Sequence, residues 1–336
     1  MHMADALVSP AVGGVMLAVS AGAVVYAATK IKKDELDEKK VPLMGIMGAF
    51  VFAAQMINFT IPGTGSSGHI GGGILLAALL GANPAFLTIT AVLIIQALFF
   101  GDGGLLALGC NIFNMGIIPC FLIYPLIFRP IMKKGFSGKN LSFASILAVM
   151  VGLELGAFSV VLETQFSGIT ELPFGTFVAL MLPIHLAIGL VEGIVTSGVL
   201  MFVNKVRPEI LNSAFDKTKL GAVSVKKVAL ILTLAAVVIG GGLSLLASAY
   251  PDGLEWSMQG VTGSTELEST SQVHDTASEI QESTVILPDY SFKSDSENSL
   301  GTSASGIIGG AMTLALAGAA GLTISAVKKR RQAKEA

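Results

Sequence analysis

Leu105-Leu106-Ala107-Leu108-Gly109-Cys110-Asn111-Ile112-Phe113-Asn114-Met115-Gly116-Ile117-Ile118-Pro119-Cys120-Phe121-Leu122-Ile123-Tyr124-Pro125-Leu126-Ile127-Phe128 runs without a single charged side chain, and Arg129, Lys133, Lys134 and Lys139 follow it directly. A helix needs about 20 predominantly apolar residues to cross a bilayer. Positive charge collects on the cytoplasmic side of such helices. The stretch therefore reads as a membrane span that ends at the cytoplasmic face near Phe128.

Working outward, similar runs recur near 9–29, 41–60, 70–81, 84–101, 141–163, 172–203, 228–249 and 304–326. The 336 residues are 52% hydrophobic and 13% charged, where a soluble chain carries ~25% charged residues. Twenty of the 21 Lys and Arg residues fall in four clusters. The first is Lys30, Lys32, Lys33, Lys39 and Lys40; the second follows the opening stretch. Lys205, Arg207, Lys217, Lys219, Lys226 and Lys227 make the third, and Lys328, Lys329, Arg330, Arg331 and Lys334 the fourth. If all four are cytoplasmic, an even number of spans must separate each from the next. The runs satisfy this, which puts the N-terminus outside and the C-terminus in the cytoplasm. No basic n-region or small-residue cleavage site precedes the first run, so no cleavable signal peptide is expected. A bulky residue 2 should also discourage removal of Met1.

The run at 70–81 is too short to cross as a straight helix. With Pro62 and several glycines ahead of it, it reads as a broken or re-entrant element, tolerated where it is buried in protein or lines a cavity. Residues 205–227 read as a polar, basic cytoplasmic linker. Residues 250–303 are rich in Ser, Thr, Asp and Glu, with Lys293 as their lone basic residue. They are expected to form an external, largely disordered or weakly ordered loop. Its charge could concentrate cations, or it could be simply a solvated loop. Gly306-x3-Gly310 and Ala317-x3-Gly321 predict close packing of the last helix on a neighbour. Cys110 and Cys120 are expected as buried free thiols.

Met1-His2-Met3-Ala4-Asp5-Ala6 opens the chain, and His69 stands in Gly63-Thr64-Gly65-Ser66-Ser67-Gly68-His69. A free terminal amine, the backbone nitrogen of His2 and its ring Nδ1 can grip one ion, closing a five- and a six-membered ring in one plane. One more imidazole would complete a nitrogen square, which favours Ni(II) or Cu(II) over Zn; His69 is the candidate. Gln55, Asn58, Ser67 and Asn111, near the same outer side, are candidate donors orienting the ligands. His185 and Glu192 are seven apart, on one helix face; they read as a buried pair locking helices, with a proton relay as the alternative. Glu154 is expected to pack inward and be paired. GxxxxGK[ST], HExxH and GxSxG are all absent, which argues against P-loop ATP binding, a zincin and a nucleophile elbow.

Met1 through Ala6, Gly63 through Gly73 with its histidine, Gly101-Asp102-Gly103-Gly104 through Gly116, and His185 through Thr196 together resemble CbiM and NikM. These are the cobalt/nickel substrate-binding membrane proteins of energy-coupling factor (ECF) transporters. Pro251-Asp252-Gly253-Leu254-Glu255 resembles the PDGLE segment of their small two-helix partner, CbiN or NikN, fused here to the same chain. The resemblance implies an all-α polytopic membrane protein: a seven-helix metal-binding core over 1–204, with one short or broken helix, then two further transmembrane helices over 228–336 with their external loop. It implies that the Met1 amine, the His2 nitrogens and His69 hold the metal. It also implies a transmembrane scaffold subunit and two cytoplasmic ATPases as partners. Gly45-x3-Ala49-x3-Ala53 resembles the face used against the scaffold, and Ala18-x3-Gly22 fits equally. Ala6 departs from the glycine usual after Ala-Asp.

The function expected is the substrate-specific component of an ATP-driven importer in the cell membrane, capturing Ni(II) or Co(II) outside. It is not expected to be an enzyme, to hold a resident cofactor or to bind nucleic acid. A stand-alone metal channel or secondary transporter is the alternative, and a membrane-embedded metalloenzyme the more distant one.

Overall fold

The computed structural model describes residues 1–33, 40–216, 218, 220, 225–268, 271–293 and 300–335. Lys39, Lys217 and Lys219 of the basic clusters, and Asp295 and Glu297 of the acidic loop, lie outside the described residues. So do the side chains of Lys32, Lys33, Lys226, Lys227 and the basic residues of 328–334.

The chain is an all-α polytopic membrane protein. Among the described residues, six helices are long and apolar enough to cross a bilayer: α1 (Pro10–Lys33), α4 (Ala82–Phe100), α5 (Leu108–Met132), α6 (Gly138–Ser167), α7 (Phe174–Val206) and, near the C-terminus, α12 (Leu300–Glu335). Two shorter apolar helices accompany them, α2 (Lys40–Gln55) and α9 (Val225–Gly241). Large apolar side chains such as Val15, Leu126, Phe166, Ile194 and Leu322 stay exposed around the bundle, as a lipid-facing belt requires. α4 and α5 are the most enclosed of the long helices. Both carry wider π-type turns, over Gln96–Phe100 in α4 and Phe113–Phe128 in α5, the latter containing Pro119 and Pro125. Such turns often mark functional positions.

The run expected at 41–60 is helical only to Gln55. It then passes into a two-stranded antiparallel hairpin, β1 (Phe59–Ile61) and β2 (Ser66–Gly68), pairing Phe59 with Gly68. The connecting turn requires positive φ at Gly63 and Gly65 (77° and 75°), which glycine adopts freely. The short element expected at 70–81 is α3 (Gly73–Leu80), eight residues long and wholly buried. Gly81 (φ 86°) ends it and starts α4.

The segment 205–227 is not merely a linker. It contains α8 (Pro208–Asp216), whose C-terminal carbonyls are captured by two basic side chains. Lys40 Nζ donates to Ser213 O at 3.1 Å and Arg129 Nη2 to Phe215 O at 2.9 Å. Cations there complement the negative end of the helix dipole.

α9 and α12 pack together and onto α2. Gly306 makes this possible: a Cβ there would lie 2.7 Å from Gly240 Cα. One on Gly45 would meet Leu314 O, also at 2.7 Å. The small-residue face Gly45–Ala49–Ala53 expected to meet the scaffold is therefore occupied by the chain's own helices. Beside Gly14 and Gly22 on α1 there is open space.

The acidic segment also departs from expectation. Within 250–303 the chain forms α10 (Gly253–Thr262), α11 (Gln272–Thr284) and a short turn at Pro288–Tyr290. They dock on one end of the bundle, α10 on α7 beside β2, and α11 with the turn where α4 finishes.

Candidate metal site

The first residues are threaded into that same end. Met1 is 7% exposed and Met3 fully buried. Buried backbone needs partners, and Met3 finds them for both its amide and its carbonyl. Asn111 Oδ1 accepts from Met3 N (2.8 Å), its Nδ2 donates to Met3 O (3.2 Å), and Gly104 N donates to the same carbonyl (2.9 Å). Asp5 Oδ1 accepts from Ala107 N (2.9 Å), fixing the single turn Asp5–Leu7. Gly103 (φ 84°) has no room for a side chain: a Cβ would stand 2.6 Å from Asn111 Nδ2 and 3.4 Å from His2 Cβ.

This threading stacks the His2 ring on His69, with centroids 5.5 Å apart and planes 19° from parallel. His69 Nδ1 is 3.1 Å from Ile70 O. A carbonyl only accepts, so Nδ1 carries the proton and Nε2 keeps its lone pair for a metal. His2 Nε2 lies 3.2 Å from Gln96 Oε1, and its Nδ1 3.1 Å from Asp102 Oδ1. The terminal amine donates to Asp252.

Electrostatics follow from burial and charge. Burial, reinforced by the terminal ammonium, pushes His69 down to about 4, leaving a neutral ring ready to ligate. Burial also lowers His2, against the pull of Asp102. For the amine, burial opposes the charge, but Asp252 more than offsets it and holds the pKa above its ordinary value. Burial likewise opposes the Asp252 carboxylate, yet the ammonium keeps it well below the usual range. Burial and the neighbouring Asp252 push Glu255 up to about 7.

Above the two rings opens a cavity of about 460 Å³, onto which Asp102, Asp252, Glu255, Glu266 and Asp289 all face. A mouth lined by carboxylates favours cations on electrostatic grounds. A second cavity of about 20 Å³ touches Met1, His69, His185 and Asp252. Among the described residues no three His, Cys, Asp or Glu side chains converge as a metal site. A nitrogen square at this position would instead draw on the amine and a backbone nitrogen as well as two rings.

Asp252 comes from the fused segment, and its motif has a physical basis. It caps α10, accepting from Leu254 N and Glu255 N, while Glu255 accepts from Asp252 N. This reciprocal box satisfies the helix's first amides. A Cβ on Gly253 would stand 2.8 Å from Ile188 Cδ1 and 2.9 Å from His185 Cε1, so only glycine lets the cap approach. Further along, His274 Nε2 lies 3.1 Å from Asp5 O and 3.0 Å from Val8 O. Gln281 Nε2 donates to Ala97 O and Gly103 O, and Tyr290 Oη donates to Asp102.

Met1, His2 and His69 are thus brought together. Of the four candidate orienting residues, Asn111 clamps Met3 and Gln55 contacts Gln96 (Gln96 Nε2 to Gln55 Oε1, 3.0 Å). Ser67 instead holds the covering segment, through Tyr250 O at 2.7 Å. Asn58 lines the cavity, and its backbone carbonyl accepts from Ser248 N. His185 and Glu192 do not form the expected pair. His185 Nδ1 is 2.8 Å from Met181 O, while Glu192 accepts from Gly72 N at 3.1 Å. Glu154 Oε1 is buried without a hydrogen-bond partner, against the expectation that it would be paired. Sequence reasoning did not name Gln96, Asp102, Asp252 or Tyr290 as parts of the site; Asp102 and Asp252 lay in motifs that carry the resemblance, whereas nothing pointed to Gln96 and Tyr290.

Comparison with known proteins divides the chain into two regions. Residues 2–210 match the CbiM family, described as the cobalt uptake substrate-specific transmembrane region, and residues 226–326 match the PDGLE domain. A putative metal transport protein of Haloquadratum walsbyi is 36% identical over 66% of this chain and 97% of its own length. A putative fused nickel transport protein NikMN of Archaeoglobus fulgidus is 34% identical, covering 66% of this chain and 71% of that protein. A probable fused nickel transport protein LarMN of Lactiplantibacillus plantarum is 34% identical over 77% and 79%. A crystal structure of a transition metal transporter is similar in fold, with a TM-score of 0.54 and 33% identity over 61% of this chain and 93% of that one.

Proposed function

This chain belongs to the CbiM family of cobalt-uptake substrate-specific transmembrane proteins, with a PDGLE domain on the same chain, and from that premise we propose that it captures Ni(II) or Co(II) for import through its terminal amine, His2 and His69. The observation that carries the reading is the stacked His2–His69 pair beside a buried terminal amine. Metal would replace a proton on that amine and the proton of the His2 amide, and would take the lone pair of His2 Nδ1. His69 Nε2 would supply the fourth nitrogen. Four nitrogens in a plane suit Ni(II). Gln55, Asn58, Ser67 and Asn111 act around this set by orienting the ligands or the chain that covers them.

The chain works in the cell membrane with the N-terminus outside and the basic ends of its helices in the cytoplasm. Asn111 near the metal and Arg129 are 18 residues apart on α5, roughly 27 Å of helix, which supports capture outside and basic anchoring within. Residues 1–204 are the metal-binding domain, 205–227 the cytoplasmic link and 228–336 the fused two-helix domain. Energy comes from an ECF assembly, a transmembrane scaffold and two ATPases. The open small-residue face of α1, around Ala18-x3-Gly22, is the side offered to that scaffold.

The test is equilibrium Ni(II) and Co(II) binding to purified protein with its native N-terminus, beside a version with one residue added before Met1. The addition removes the amine and changes no side chain. Loss of tight binding is the expected result; equal binding would place the metal elsewhere.

A further inference from the structure

His2 offers two ring nitrogens, and only one of them serves a chelate with its own backbone nitrogen. The ring closed through N, Cα, Cβ, Cγ and Nδ1 has six members. Nε2 points to the far side of the imidazole and cannot close it. Metal capture therefore depends on where the ring keeps its proton, since a nitrogen that carries one has no lone pair to give.

Two acceptors contest that proton. Asp102 Oδ1, 3.1 Å from Nδ1, draws it to the nitrogen the metal needs. Gln96 Oε1, 3.2 Å from Nε2, draws it to the other. The orientation of an amide is set by its network, and here the network runs one way. Gln96 Nε2 spends one hydrogen on Gln55 Oε1 (3.0 Å) and one on Tyr290 Oη (3.2 Å). Gln55 in turn donates from Nε2 to Gly71 O (3.1 Å), and Tyr290 donates to the Asp102 carboxylate. Both branches end on groups that only accept. Turning the Gln96 amide over would set its oxygen against Gln55 Oε1, two acceptors face to face. Gln96 and Gln55 are 1% and 3% exposed, so water offers no substitute.

We infer that Gln96 is a positioning residue for metal capture: held in one orientation by Gln55 and by Tyr290 of the fused segment, its carbonyl oxygen keeps the His2 proton on Nε2 and leaves Nδ1 to the metal. This rests on the capture reading above and adds the device that readies the ring for it. It also gives the fused domain a part in the site, since Tyr290 anchors one of the two branches.

The experiment uses the full chain with its native N-terminus, labelled with [¹⁵N]histidine. Ring ¹⁵N shifts of the metal-free protein at pH 8 report the tautomer. The chain has four histidines, and His2 is assigned by its loss in His2→Asn. The wild type should carry Nε2–H. In Gln96→Leu the proton should move to Nδ1, and the Kd for Ni(II) should weaken by about 10–100-fold, the usual cost of losing a hydrogen-bond partner of a metal ligand. Tyr290→Phe, at the rim of the site, should shift the tautomer in the same direction and guards against a Gln96 variant that does not fold. Gln55→Leu should weaken binding alone and add nothing to Gln96→Leu. A wild type with Nδ1–H, an unchanged tautomer in Gln96→Leu, or additive losses from Gln55→Leu would overturn the inference. The N-terminally extended chain separates the two levels. If it binds as tightly as the native chain, the capture reading fails and this one with it. If it loses binding while the tautomer never moves, only this inference fails.

Discussion

Asn111→Ala should release the N-terminal segment from its groove. Asn111 holds Met3 by two hydrogen bonds, at 2.8 and 3.2 Å, and Met3 is fully buried. Truncation leaves the Met3 amide without a partner, at a cost of about 1–3 kcal/mol. The Met3 carbonyl keeps its bond from Gly104 and loses only the second, about 1 kcal/mol. The sum is about 2–4 kcal/mol, or a factor of roughly 30–700 in the docked-to-undocked ratio at 1.4 kcal/mol per tenfold. Only the docked segment presents the amine and His2 beside His69, so apparent affinity falls with the docked fraction. Two assays read it: hydrogen exchange at the Met3 amide, where protection should drop by about that factor, and calorimetric titration with Ni(II), where Kd should weaken to the extent that the docked fraction falls. Binding within twofold of wild type, with protection unchanged, would refute the claim that this clamp assembles the site.

Two further outcomes are expected. Gly253→Ala should force a Cβ to within 3 Å of His185 and Ile188, an overpacking worth about 1–3 kcal/mol. Protease cleavage within the 264–286 segment should then accelerate while the melting of the helical bundle barely moves; unchanged cleavage would mean that α10 does not hold the segment down. The pH dependence of Ni(II) binding has a definite sign. The amine is held above its ordinary pKa, so it is protonated at pH 7 and must release that proton to ligate. His69, pushed down to about 4, contributes no slope in this range. Affinity should therefore climb steadily from pH 6.5 to 8.5, and a plateau beginning below pH 7 would exclude the amine as a ligand.

The membrane-spanning helices were legible because lipid imposes length and apolarity on each of them, and basic clusters mark their ends. The shortness of α3 was legible for the same reason. What surrounds the proposed site was not. Residues 250–303 are polar, and composition alone reads such a stretch as solvated. Its order comes from pairing with backbone groups of the core: Gln281 with Ala97 and Gly103, Thr284 with Leu98, Ile286 with Phe99. Those partners lie nearly 200 residues away and leave no local periodicity. His2 and His69 could be picked out as rare ligating residues in an apolar chain, whereas Gln96 and Tyr290 are ordinary until the fold joins them. The scaffold face failed for a related reason. Gly45 and Ala49 announce close helix packing, but a spacing of four does not say whether the neighbour is another subunit or, as here, α12.

The covalent attachment of the covering segment changes what its contacts must achieve. A separate subunit at micromolar levels would need micromolar affinity or better to keep the site covered. A tethered one acts at an effective concentration on the order of millimolar. Its start is further constrained here, because Lys40 and Arg129 fix the end of α8 to the bundle before the chain enters α9. The contacts that dock it, polar pairs together with Leu254, Met258 and Leu287 packed into the core, then act within one molecule and need not supply bimolecular affinity. Such a cover stays with its own molecule, and each proposed site carries one whatever the expression level of its neighbours.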